Sequence, residues 1–293
     1  MKSFINPHQF FDKVHWKARQ KYSQMRCYLN NGHYVWALPN QAKFVSRQGD
    51  AFSHVLYVCK GHEKVEMNWC QHWIKADQAP QSIIDCGANI GYFSAVLSQA
   101  CSLDRVLAIE GNHNTAELCR QNIKILNLRN IHVIESVLSA DESDCYIIPN
   151  NPGKEPWQRA IQASPEMASS HTKTLDRLVS DFQLAPSLVK IDCEGFETLI
   201  LKGACSLLNI IRPAFMIECN DSALKTSGTN RYELFTLLKS FNYKLFHLAS
   251  FTGSYPLGMA IEDNFESSEF NFAAIPNDQS NLERWNQSIQ TFF

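Results

Sequence analysis

Ile83-Ile84-Asp85-Cys86-Gly87-Ala88-Asn89-Ile90-Gly91 is the stretch whose reading decides the fold. An apolar pair runs into an aspartate and a turn with two glycines, and the turn runs into Phe93, Val96, Leu97 and Ala100 at helical spacing. Strand, tight loop and amphipathic helix in that order open a βαβ unit. In such units ligands bind beyond the carboxyl ends of the strands. Glycine there lets backbone approach the ligand, and the helix start offers free N–H groups to a carboxylate-bearing cofactor. The plainer reading is a turn that only packs strand on helix.

Downstream the pattern repeats. Val106 to Glu110 is a strand, followed by Ala116, Cys119, Ile123 and Leu126 on one helical stripe, then by Ile131 to Ile134 as a third strand. Leu188 to Asp192 supplies a fourth strand, with Ile200, Ala204, Leu207 and Leu208 behind it; Ala214 to Glu218 supplies a fifth, with Leu234, Leu237, Leu238 and Phe241. Strands alternating with helices predict a doubly wound, mostly parallel α/β sheet. Tyr243 to Leu248 and Phe270 to Ile275 read as strands with no helical stripe between them, so an antiparallel strand is expected to close one edge of the sheet.

Upstream, residues 1–80 read as a helix and hairpin extension or cap, and residues 81–293 as the main domain. The hairpin is expected where Cys27 to Leu29 and Tyr34 to Leu38 flank Asn31-Gly32. Ala51 to Cys59 and Glu63 to Ile74 suit helices, and Ala79-Pro80 breaks the chain before the first strand.

Composition limits the function classes. With 293 residues, 45% of them hydrophobic and 19% charged, the chain can bury a large core. Its 27 Lys and Arg against 29 Asp and Glu give a net charge of −2, so no global field draws it to nucleic acid or an anionic membrane. The basic run Lys13, Lys17, Arg19, Lys21, Arg26 reads as a solvated helix face, or as a docking patch for a phosphate-bearing partner. No run of about 18 apolar residues is present to span a bilayer. Met1 to Phe11 lacks the apolar core of a secretion signal, so the ten cysteines are expected to be reduced and the protein cytoplasmic; none falls in a Cys-x-x-Cys pair that would suggest zinc.

Glu110 ends the second strand, 23 residues after Gly87, where an acid accepts hydrogen bonds from ribose hydroxyls. Dinucleotide enzymes share that spacing, but their G-x-G-x-x-G loop is replaced here by Gly87 and Gly91 with Asn89 between. An adenosine-plus-amino-acid ligand therefore fits better than NAD.

Three segments taken together resemble the FkbM-type methyltransferases: Ile84 to Gly91, Thr174-Leu175-Asp176-Arg177-Leu178, and Val189-Lys190-Ile191-Asp192-Cys193-Glu194-Gly195-Phe196-Glu197. The likeness continues through Leu201 to Ala204 and Arg212-Pro213 to Glu218. It implies a seven-stranded class I methyltransferase sheet, S-adenosylmethionine as methyl donor with S-adenosylhomocysteine as product, and most often a hydroxyl acceptor. By position, Asp85, Gly87, Asn89 and Gly91 would surround the methionine and ribose, Glu110 the ribose hydroxyls, and Val137 the adenine. Cys193 stands where the family usually has an aliphatic residue, and Gly111 where proline is frequent.

An aliphatic alcohol attacks a sulfonium poorly unless a carboxylate takes its proton or a metal acidifies it. Asp192 and Glu194, at the end of the fourth strand, are the candidate catalytic acids, with Asp192 first as base; helix capping is the bland alternative. Glu194 with Glu218 can also be read as an oxygen-rich magnesium or calcium site, although no metal is favoured. Candidates for gripping the acceptor are the loop from Asn150 to His171, with Trp157, Arg159 and His171, and the cap with His62 and Glu63, together with Glu218. The expected acceptor is a small molecule or glycan; N-methylation of a macromolecule and a non-catalytic S-adenosylmethionine-binding module are the alternatives.

Overall fold

The computed structural model describes residues 17–19, 21–22, 24–26, 28–29, 33–37, 43–47, 52, 55–56, 62–77, 81–147, 161–162, 170–250, 257–262 and 268–290. Its centre is β3 (Gln81–Cys86), whose side chains are buried on both faces except at Ser82, as a central parallel strand requires. Around it lie α2 (Tyr92–Ala100), β4 (Leu103–Glu110), α3 (His113–Ile125) and β5 (Ile131–Glu135). Further on come α4 (Leu175–Asp181), β10 (Pro186–Ile191), α5 (Glu197–Lys202), a π-helical turn (Leu207–Ile211), β11 (Ala214–Asn220), α6 (Asp221–Thr226) and α7 (Arg231–Ser240). The chain then enters β12 (Tyr243–Ser250), β13 (Glu269–Pro276) and α8 (Gln279–Gln290).

Seven strands form one sheet in the order β12-β13-β11-β10-β3-β4-β5, with every pairing parallel except those of β13. This is the class I methyltransferase sheet. The antiparallel strand does not close an edge as its sequence suggests. It inserts between β11 and β12, pairing Phe215 with Ala274 on one side and Leu245 with Ala274 on the other, and β12 takes the edge. The reason is burial: β13 is buried from Phe270 to Pro276, more than an edge strand allows.

A smaller sheet, in the order β6-β9-β7-β8, is built from β6 (Val137–Leu138), β7 (Cys145–Ile147), β8 (Ile161–Gln162) and β9 (Ser170–Lys173). The segment read as a single loop from Asn150 to His171 therefore contains β8 and the start of β9. Trp157 and Arg159 lie outside the described residues.

The N-terminal hairpin forms in a different register from the expected one. β1 (His33–Ala37) pairs with β2 (Lys43–Arg47), not with Cys27 to Leu29, where Tyr28 and Leu29 are helical and exposed. Leu38-Pro39-Asn40-Gln41-Ala42 connects the two strands, and its Pro-Asn pair is a turn signal that competes with Asn31-Gly32. Asn31-Gly32 itself is outside the described residues.

α1 (Lys64–Lys75) lies against α8, and its apolar face joins the sheet's own core. Trp69 meets Trp285 edge-on at 5.6 Å and donates its indole N–H to Ser288 Oγ at 3.1 Å. Trp285 also stacks on Phe246 at 4.5 Å and is 1% exposed. Trp285→Ala is expected to lower stability by about 3–5 kcal/mol, read from the midpoint of a urea transition. A loss below about 1 kcal/mol would mean that α1 and α8 are not held through this ring.

Cys70, Cys86, Cys101, Cys119, Cys193, Cys205 and Cys219 are free thiols. Among the described residues no helix is long and apolar enough to cross a membrane.

Candidate active site

The loop after β3 is pinned on three sides. Gly87 and Ala88 donate their N–H groups to Ile109 O at 3.0 and 2.9 Å, and Asp192 N donates to Cys86 O at 3.1 Å. The approach is close enough that a Cβ on Gly87 would stand 1.9 Å from Asp192 O, and its φ of +79° is left-handed; only glycine fits. Gly91, φ +83°, starts α2 with Cys119 Sγ 2.7 Å from where a Cβ would be. Asn89 between them is also left-handed, φ 50°.

Glu110 holds this loop from the neighbouring strand. Its Oε2 accepts from Asn89 N at 2.9 Å and its Oε1 from Asn112 N at 2.8 Å. Burial raises its carboxyl above the usual range against the pull of those two N–H groups. Each oxygen keeps a further lone pair, so two hydroxyl donors can still be accepted. Asp85 is fully buried; its Oδ2 accepts from Ser94 N at 3.2 Å and from Ser94 Oγ at 2.6 Å, tying the strand end to the first turn of α2. Its Oδ1 has no hydrogen-bond partner and lies 4.0 Å from Lys190 Nζ. Val137, on β6, is 6% exposed and belongs to the core cluster on the other face of the sheet from α1.

The second half of the site is the end of β10. Lys190 is 5% exposed and donates to Asp192 Oδ2 at 2.8 Å, with its ammonium 5.5 Å from the Phe93 ring centroid. Burial alone would discharge this lysine, but the charges of Asp192, Asp85 and Glu63 outweigh it and keep it protonated. Burial would likewise raise Asp192, yet the charge and hydrogen bond of Lys190, with His62 and a hydrogen bond from Glu218, hold it below the usual carboxylate range. Asp192 is therefore ionised, with 27% of its side chain exposed.

A hydrogen bond between two carboxyl groups needs a proton on one of them. That one is Glu218, pushed up to about 11 by burial and by Asp192, Glu194, Glu197 and Glu63. Glu194 takes left-handed backbone, φ 53°, and one oxygen from each of Asp192, Glu194 and Glu218 lies within 4.8 Å of the others. The turn carrying Glu194 is cradled by Glu197, whose Oε1 accepts from Cys193 N at 3.0 Å and Gly195 N at 3.1 Å.

The N-terminal segment covers this edge. Glu63, at the start of α1, has φ 46°, and its Oε1 accepts from Asn271 Nδ2 at 2.9 Å; Glu66 Oε1 accepts from the same nitrogen at 3.1 Å. Burial raises Glu63 to about 7, opposed by Lys190. His62 donates its backbone N–H to Tyr92 Oη at 3.3 Å, its ring stands 3.8 Å from Glu63, and burial lowers its pKa. Three of the seven non-glycine residues with left-handed backbone among the described residues, Glu63, Asn89 and Glu194, lie in these segments.

The structure brings Asp85, Gly87, Asn89, Gly91 and Glu110 together on one side of the β3/β10 junction, and Asp192, Glu194, Glu218 and Glu63 on the other. His171 sits apart on β9, paired with Cys145 in the small sheet. Lys190, Asn271, Glu66 and Glu197 were given no role from sequence. Lys190 carried a legible signal: a lysine in the apolar run Leu188 to Ile191, two residues before an aspartate and so on the same face. Asn271 carried none.

The family profile described as "Methyltransferase FkbM domain" matches residues 85–245, more than half of the chain. No curated protein matches the sequence significantly. Among solved structures, the chain is similar to a methyltransferase FkbM from Methylobacillus flagellatus KT, with 19% identity over 67% of this chain and 43% of that one, TM-score 0.44. It thus spans less than half the length of that relative. Other similar structures are TrmK of M. capricolum in complex with S-adenosylhomocysteine (14% identity, 74% of this chain and 70% of that one, TM-score 0.43) and a precorrin-6y C5,15-methyltransferase from Geobacter metallireducens (15%, 73% and 91%, TM-score 0.40).

Proposed function

The chain belongs to the FkbM methyltransferase family, and from that premise we propose that it transfers the methyl group of S-adenosylmethionine to a hydroxyl of a sugar, glycan or other small molecule. The observation that carries this reading is the contact between the two loops. The strand end that carries the glycine turn after β3 and the ionised Asp192 after β10 are joined by a backbone hydrogen bond, so a cofactor cradle and a carboxylate stand side by side.

The residues present fit the cofactor. Glu110 offers two free acceptor positions to ribose hydroxyls, and the loop from Gly87 to Gly91 holds its backbone open beside them through left-handed residues. Asp85 shapes this cradle by fixing the start of α2. When bound, S-adenosylmethionine supplies a methyl carbon already activated by its sulfonium. What remains for the protein is to orient the acceptor and receive its proton. Asp192 receives that proton, Lys190 keeps it ionised, and Glu218 holds its second oxygen by donating to it. Glu63 and His62, reaching over from the N-terminal segment, are placed to grip the acceptor's other polar groups.

The test is calorimetric titration with S-adenosylmethionine, S-adenosylhomocysteine and, separately, NAD. The first two should bind and NAD should not. Glu110→Ala removes two hydrogen bonds to a carboxylate and should weaken both by at least about tenfold, the equivalent of about 1.4 kcal/mol. Binding of NAD in place of the first two would move the chain to the oxidoreductases.

A further inference from the structure

We propose that Asp192, Glu194 and Glu218 form a binding site for one hard divalent cation, magnesium, manganese or calcium, at the acceptor side of the cleft. One oxygen from each lies within 4.8 Å of the other two. A single ion with metal–oxygen distances of about 2.1–2.5 Å spans that triangle. The donors are all oxygen, which selects a hard cation over zinc or copper.

Acidic side chains often cluster at a protein surface without an ion, so a second and independent observation matters here. Asn271 Oδ1, outside the cluster, is a buried acceptor with no donor, and within the cluster Glu218 Oε2 is likewise without a partner. Asn271 is 1% exposed and stands directly opposite Glu218 in the antiparallel β11/β13 ladder. Opposed residues send their side chains to the same face, with Cβ atoms about 4.5–5.5 Å apart. The Asn271 amide nitrogen is committed to Glu63 and Glu66, which turns its carbonyl away from them on the face shared with Glu218. A buried acceptor left without a partner is rare and costly. Two of them side by side, next to two further carboxylates, call for a cation.

Lys190 engages Asp192 Oδ2. In the ion-free chain the proton that Glu218 shares with Asp192 occupies this place, and an entering dication displaces it.

The role of the ion rests on the hydroxyl-methylation reading; the existence of the site does not. An acceptor hydroxyl bound to the ion becomes more acidic and releases its proton to a carboxylate. The O–C bond then forms as the C–S bond breaks with its electron pair staying on sulfur, and no oxidation state of the metal changes.

The experiment is titration of chelator-stripped full-length protein with Mn²⁺ alone, following free Mn²⁺ by electron paramagnetic resonance without cofactor or acceptor. One saturable Mn²⁺ per chain is expected, with affinity reduced about tenfold or more in Glu218→Gln and in Glu194→Gln, and unchanged in Glu117→Gln on α3. S-adenosylmethionine titration of the same preparations shows that each variant is folded. Absence of saturable Mn²⁺ binding in the parent chain overturns the site, and so does parental affinity in both Gln variants. Mn²⁺ binding without S-adenosylmethionine binding would sustain the cation site and overturn the cofactor reading instead.

Discussion

Lys190→Met is expected to lower the unfolding free energy by about 3–5 kcal/mol at neutral pH, the usual result of removing one partner from a buried ion pair. The stem is replaced by one of similar length and packs as before beside Phe93. What is lost is the ammonium 4.0 Å from the fully buried Asp85 Oδ1, the only cation that near it among the described residues, and the 2.8 Å contact to Asp192. Asp192 can take up water at its partly exposed edge; Asp85 cannot. The Asp85 carboxyl is already raised by burial, against the pull of Lys190 and Ser94, and losing the lysine raises it further. A carboxyl whose folded pKa lies above its unfolded one penalises folding at high pH, and the penalty disappears as pH falls through the folded value. The gap between parent and variant should therefore be widest at alkaline pH and shrink on acidification. Urea transitions at two pH values measure it. A gap of the same size at both would show that Asp85 does not carry the cost.

Asp192→Asn should reduce kcat by about 10²–10⁴, the range for loss of a positioned base, while S-adenosylmethionine affinity stays within a few-fold. The amide preserves the shape and the contact to the loop after β3, since that contact runs through the Asp192 backbone N–H. Transfer of labelled methyl to a panel of sugars and small hydroxylated compounds supplies the assay. Unchanged turnover would remove Asp192 from the mechanism. Cofactor binding by the parent with no transfer to any acceptor class would favour a binding module over an enzyme.

The sheet and the cofactor cradle were legible because their determinants are local. Strand, glycine turn and helix follow one another within Ile83 to Ala100, and Glu110 lies one strand later. The position of β13 was not legible. Alternation and apolar content mark Phe270 to Ile275 as a strand but carry nothing about its neighbours, and only burial between β11 and β12 decides the order. The hairpin was misread because Asn31-Gly32 is the stronger turn signal by propensity, yet the strands that pair are β1 and β2, on either side of residues 38–42. His62 and Glu63 were reached only as polar residues in a cap. Their company is long-range: Asn271 lies 208 positions from Glu63. A pocket assembled from both ends of a chain leaves no periodic trace in either.

Motif residues also divide differently in space than in sequence. Asp176, part of the family-like Thr174 to Leu178 segment, accepts from Ser206 N at 2.7 Å and Leu207 N at 2.8 Å, fastening the π-helical turn before β11. Glu197 spends one oxygen on the turn that displays Glu194. Both act by holding the frame, while Asp192 and Glu194, in the same run of sequence as Glu197, stay partly exposed at the end of β10.

The pairing of α1 with α8, through Trp69, Trp285 and the Arg284 guanidinium on Trp73 O, also sets an order of events during synthesis. A ribosome releases α1 roughly two hundred residues before its partner, and contacts of such sequence separation form late and slowly. Until α8 emerges, the face bearing Trp69 and Trp73 lacks the cover that α8 gives it. Nascent chains stalled before Gln279 should accordingly be captured by hydrophobic-binding chaperones and be cut readily at α1, and resistance to protease should arrive in one step as the last helix is completed.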